Sequence, residues 1–258
     1  MSLLIIGAIS SIALFAGILL SIELGRRIGA YRIAMEGESA TKGFSAVEGA
    51  VFALLGLVLA FSFSGALTRF DGRRHLVVEE TNDIGTAWLR IDLLPASAQP
   101  ALRVLFRRYL DSRIEVYRKL PDLDAARAEL GKSTALQKEI WTLAVSSSLE
   151  SAPASAPMLL LPALNAMFDI TTTRTEASRV HPPLIIFAML GVLTLACSVF
   201  AGYDMASQPR LNLLHSVAFA LVLSVTVYVI VDLEYPRLGL IQMTDSDEVL
   251  VELRTTMG

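Results

Sequence analysis

Apolar and polar residues are segregated here into whole segments. Residues 2–22, 49–68, 182–203 and 211–231 contain no Asp, Glu, Lys or Arg. At about 1.5 Å of rise per helical residue, each run crosses a hydrocarbon core of roughly 30 Å. Lipid confines such spans to helices, because strand edges and loops would leave backbone groups unpaired there. The runs form two pairs around a polar insert. The pattern therefore predicts an all-α polytopic membrane protein, with four transmembrane helices in two pairs and a helical extramembrane insert between the second and third. The predicted organisation is a first helix pair (1–68), the insert (69–181), a second pair (182–232) and an acidic C-terminal tail (233–258). The first run lacks a basic leader and is followed by Glu23, Arg26 and Arg27, so it is expected to stay as a membrane helix.

A period of 3.6 residues appears inside the insert. Val77, Ile84, Trp88 and Ile91 recur at helical spacing opposite Glu79, Asp83, Thr86 and Arg90. The second span is therefore expected to continue as one helix from Phe44 to Leu94, where Pro95 ends it. A second helix opens at Pro100 with Leu102, Leu105, Phe106, Tyr109 and Leu110 inward. Its wet side carries the i,i+4 pairs Arg107/Asp111 and Glu115/Lys119. Asp122 is the expected N-cap of a third, with Leu123, Leu130, Ile140 and Leu143 inward. Residues 146–157 read as a link and residues 158–168, with Pro162, as a short buried or membrane-proximal helix. The first pair of spans is expected to be joined by a loop carrying Arg26, Arg27, Arg32 and Lys42, with Gly37 and Gly43 as breakers. The last pair forms a hairpin through a tight connection, residues 204–210. The tail reads as a solvated extension, with residues 244–247 able to cap a short helix through Arg254.

Composition narrows the function. The chain is 53% hydrophobic with a mean hydropathy of +0.56. The insert holds 15 Lys/Arg against 14 Asp/Glu, so no basic patch points to nucleic acid. The single cysteine, Cys197, lies within a span and supports neither an intramolecular disulfide nor a cysteine metal site. No phosphate-binding glycine loop, nucleophile elbow or zinc-protease motif is present, and the three histidines are far apart. The reading is a non-enzyme without cofactor or metal. Glu79, Glu80 and Asp83 are taken as a solvated helical face.

Ionisable groups near or in spans are the remaining candidates. Glu48, about one turn into the second helix, is either an interfacial carboxylate or a pore-mouth residue. His215 reads as an interfacial histidine. Gly56, Ala60 and Ser64 repeat every four residues beside Gly49 and Ala53, a small face that lets helices approach closely. Orientation is ambiguous from charge alone. The short loops, with Arg26, Arg27, Arg32, Lys42 and Arg210, would place the insert outside, whereas the flanking Arg69, Arg73, Arg74, Arg174, Arg179 and Arg237 favour an inside insert.

The stretch Arg69-Phe70-Asp71-Gly72-Arg73-Arg74, with Glu79, Glu80, Asn82 and Arg90 and the run to Leu93-Leu94-Pro95, resembles a bacterial membrane family of unknown function labelled bestrophin-like domain. Arg69, Phe70, Gly72, Arg73, Arg74, Glu79, Glu80, Asn82 and Arg90 are the residues that carry this resemblance. More distantly, the plan is similar to that of the bestrophins, pentameric ion channels with four spans in two pairs. Their pore helix has a neck eight residues before an Arg-aromatic segment. Carried across, that spacing implies Ala53, Leu57 and Phe61 as neck positions, although Ala53 is smaller than the family residue and Ser64-Gly65 and Asp71 depart from its pattern. The resemblance implies a homo-oligomeric small-ion channel in the inner membrane of a bacterium, lined by the second helix, with insert and termini cytoplasmic. The competing reading is a membrane-anchored structural or signalling module whose insert binds a cytosolic partner.

Overall fold

In a computed structural model of the chain, residues 3–37, 45–150, 155–207, 213–237 and 239–258 are described, and helix dominates them, with no strand among them. The expectations placed on Lys42, Gly43, Phe44, Arg210 and Leu211 fall outside these residues. The first helix, α1 (Leu3–Glu36), runs well past the apolar run, where a loop was expected. Glu23 accepts hydrogen bonds from Arg26 (3.0 Å) and Arg27 (2.7 Å), and Arg32 pairs with Glu36 (3.0 Å). These three- and four-residue spacings put the charges on the helix surface and support it. Gly37 stops it at φ +80°, donating its N–H to the Ile33 carbonyl at 2.9 Å, a left-handed helix end that suits glycine. The second helix, α2 (Ser45–Arg90), is unbroken as expected, and a 3₁₀ turn at Ile91–Leu93 follows it.

The chain divides into two units, residues 1–69 with 181–241 and residues 70–180 with 242–258. In the first, α1 packs on α6 (Leu184–Asp204) and α7 (Leu213–Glu234). Two glycines set the α1–α6 approach. A Cβ at Gly25 would sit 1.9 Å from the Val199 carbonyl oxygen, and one at Gly202 would sit 1.9 Å from the Ile22 carbonyl oxygen. Backbones therefore touch there, the close packing that small residues permit between membrane helices. Buried hydroxyls return their protons to their own helix, Thr194 to the Leu190 carbonyl (2.8 Å) and Ser198 to the Thr194 carbonyl (2.7 Å), so they need no external partner. Past α7, the Asp232 carboxylate accepts the N–H groups of Leu240 (3.0 Å) and Ile241 (2.7 Å), folding the chain back. Gly239 passes so close that a Cβ would meet Asp232 Oδ1 at 1.8 Å.

The second unit holds three helices between α2 and α6. They are α3 (Gln99–Arg118), α4 (Leu123–Glu150) and α5 (Ser155–Arg179). Their core gathers Val77, Ile84, Ile91, Leu102, Phe106, Tyr109, Ile140, Leu160, Leu164 and Met167, with Trp88 tilted against Phe106 at 6.1 Å between ring centres. Pro100 opens α3 as expected, and Asp122 Oδ1 accepts the N–H groups of Asp124 (3.1 Å) and Ala125 (3.0 Å) as the cap of α4.

Several expectations are corrected here. Residues 146–150 belong to α4, and α5 extends through Pro162 to Arg179 instead of ending near Phe168. Buried Ala156, Leu160, Ala163, Leu164, Met167 and Ile170 hold its inner face, which outweighs the local cost of the proline. Leu123 is exposed, not inward. The tail is not a solvated extension either. It forms α8 (Thr244–Thr256) and buries Leu250 and Met257 in the core. The anticipated charge pairs are also replaced, that of Arg107 and Asp111 through the docking of α8 and that of Glu115 and Lys119 through neighbours on α3 and α4. Asp111 takes Arg254 (2.7 Å), Arg107 donates to the Met257 carbonyl (2.9 Å), and Glu115 and Lys119 pair with Arg118 and Glu129 (3.2 Å each).

Candidate functional site

Two faces of α2 in the first unit differ sharply. One packs inward: Leu55 and Ala66 are buried, Phe52 meets Phe219 edge-on at 6.4 Å, and the Val51 carbonyl accepts the Cys197 thiol at 3.8 Å. The opposite face is uncovered by the chain. Leu57 is 50% exposed and Phe61 69% exposed, their four-residue spacing placing both on this side, with exposed Ala53 a turn earlier. A Cβ added at Gly49 or Gly56 would meet no atom within 4 Å, and Ala60 and Ser64 are exposed, so the small-residue face packs on nothing within the described chain. Glu48 is not on that face. It is buried on the packed side, interacting with Asp204 of α6, whereas His215 is exposed.

The resemblance residues divide into ties and surface positions. Arg69 grips Glu234 at the end of α7, its Nε 2.9 and 3.1 Å from the two carboxylate oxygens. Phe70 is buried beneath Arg74, whose guanidinium lies 5.9 Å above its ring. Arg73 donates from Nε to the Ala177 carbonyl (3.1 Å) and from Nη2 to the Val180 carbonyl (2.9 Å), satisfying the last turn of α5 with a cation at the negative end of its dipole. Arg90 donates to the Leu159 carbonyl near the start of α5 at 2.6 Å. Glu80 is buried between Arg113 and Arg174, and Arg174 also lies 4.2 Å from the Tyr117 ring centre and 3.7 Å from Asp247 of α8. Gly72, Glu79 and Asn82 remain exposed or part-exposed on the outside of α2.

Electrostatics in the second unit follow from this burial. Loss of water opposes ionisation of Glu80, but Arg113 and Arg174 outweigh it and hold the carboxyl below its usual range. Burial pushes the Tyr109 phenol up. Asp83 is raised by partial burial and by the neighbouring Glu79 and Glu80. With Glu80 turned inward, Glu79, Glu80 and Asp83 do not converge, and no three His, Cys, Asp or Glu groups among the described residues gather as a metal site.

Arg113, Arg174 and Glu234 were not singled out from sequence for these contacts. Arg113 alone carried a legible signal: it sits one turn beyond Tyr109 and Leu110 on the apolar stripe of α3, an inward position where a guanidinium demands a buried partner. Glu234 follows the last span directly and read as part of the acidic tail.

Among the described residues, four helices are long and apolar enough to cross a membrane and no strand is present, which defines an integral membrane protein. The chain matches the Bestrophin-like domain over residues 12–247 and belongs to that family. No curated protein and no solved structure matches it.

Proposed function

We propose that the protein is a homo-oligomeric, channel-like membrane protein in which α2 of each copy faces a common axis and small inorganic ions pass along it. The observation that carries this reading is the uncovered face of α2. Exposed apolar side chains alone are ordinary on a membrane helix, and Ile12, Leu20 and Leu214 are equally bare. The α2 face differs in combining Leu57 and Phe61 with Gly49, Ala53, Gly56, Ala60, Ser64 and Thr68. Glycine within a helix costs about 0.5–1 kcal/mol relative to alanine, and here no contact among the described residues offsets that. Close approach by another helix gives these residues a role. Several copies of Leu57 and Phe61 around an axis form a narrow apolar neck, a constriction that gates by dewetting. Family membership and the bestrophin resemblance support the same arrangement, including a pentamer, a bacterial inner membrane, and insert and termini in the cytoplasm.

The test is proximity between copies. In a Cys197→Ala background, Phe61→Cys should cross-link to itself in membranes, whereas Leu214→Cys, equally exposed on α7, should not. Cross-linking at 214 but not at 61 would move the reading to the alternative, a membrane-anchored module whose insert binds a cytosolic partner.

A further inference from the structure

His181, Glu234 and Arg69 meet at one end of the first unit. The Glu234 side chain is 1% exposed and is held by Arg69 of α2. His181, just ahead of α6, places Nδ1 3.8 Å from the second Glu234 oxygen and stacks its ring on Tyr235 at 4.5 Å. From the sequence alone these residues are remote, and the ion pair by itself requires no histidine.

We infer that His181, Glu234 and Arg69 form a proton-responsive joint, in which acidification turns a two-helix ion pair between α2 and α7 into a three-way cluster that also grips the segment entering α6. An imidazole gains its proton as pH falls through about 6.5. The charged ring then faces a buried carboxylate at near hydrogen-bonding distance, while Tyr235 presents the face of its ring, favourable to a cation. Among the described contacts, Glu234 and Tyr235 from the end of α7 face the ring, Arg69 of α2 holds the same Glu234 carboxylate, and Arg237 follows two residues after Tyr235 in the sequence. Asp232, one helical step back, is committed to the backbone N–H groups of Leu240 and Ile241. Arg69 opposes the new charge, but it is already neutralised by the same carboxylate, both of whose oxygens it holds. Because the gain exists only in the folded protein, stability from the joint is present at low pH and is lost as pH rises.

The experiment compares unfolding temperatures of the full chain in lipid nanodiscs at about pH 8 and about pH 5.5, which bracket the imidazole range. The gap between the natural chain and His181→Gln should widen on acidification by about 2–4 °C, the shift that roughly 1 kcal/mol gives a chain near this size. His75→Gln and His215→Gln, at the other two histidines, should show no widening, and a Glu234→Gln background should abolish it. A gap that is the same at both pH values, or one that widens without Glu234, overturns the joint. If Glu234→Gln does not fold, the three histidine comparisons decide on their own. Ion flux plays no part in the readout, so failure here leaves the conduction reading standing, and the reverse also holds.

Discussion

Arg113 and Glu80 are joined in the interior of the second unit, Nε to Oε1 at 2.5 Å, with side chains 1% and 0% exposed. Arg174 reaches the other oxygen of the same carboxylate, so one acid on α2 anchors cations from α3 and α5. Removing it leaves the buried Arg113 without its carboxylate and Arg174 with the more distant Asp247 at 3.7 Å. Glu80→Ala is expected to cost about 3–5 kcal/mol, the range for breaking a buried ion pair on one side. Chemical denaturation of the purified chain measures this, and a loss under about 1 kcal/mol would contradict the buried-anchor assignment. The pH sign follows from the depressed carboxyl. The stability it contributes is complete above the ordinary glutamate value of 4.5 and drains away as pH falls through the lowered one.

Glycines on α2 and α6 should respond in opposite ways. Gly202→Ala drives a Cβ into the Ile22 carbonyl oxygen, a backbone atom unable to step aside, and should reduce folded yield and unfolding temperature. Gly56→Ala meets nothing among the described residues and should leave the single subunit as stable, or more so by about 0.5–1 kcal/mol. Thermal unfolding of dissociated subunits in detergent ranks them, and the reverse order would contradict the packing.

How far the sequence carried this picture can be judged from particular residues. Charge-free runs marked the spans because the bilayer imposes length and composition together, and Val77, Ile84, Trp88 and Ile91 marked the inner face of α2 because one helical period covers them. The extent of α1 was missed because its arginines looked like a loop, although Glu23 and Glu36 were at the spacings that keep such residues helical. The α8 docking was missed because Leu250 and Met257 are sparse among acidic residues, and their partners on α3 lie about 140 residues away, beyond any local pattern. Of the candidate site, Leu57 and Phe61 were named from a four-residue spacing plus resemblance. Glu48 turned inward because Asp204 and α6 lie beside it, a tertiary neighbour that no spacing reveals.

Orientation is open to direct measurement. With Cys197→Ala as background, Thr134→Cys on the exposed surface of α4 and Ser207→Cys after α6 should react oppositely with an impermeant thiol reagent added to intact cells. Labelling at 207 but not at 134 is expected for a cytoplasmic insert. Labelling at 134 alone would reverse the assignment.

Conduction itself is tested most directly at Phe61. In liposomes holding the assembled protein, Phe61→Ala should widen the neck and raise ion flux over the natural chain. Phe61→Ala liposomes as ion-tight as empty ones, with the oligomer intact, would contradict the channel reading.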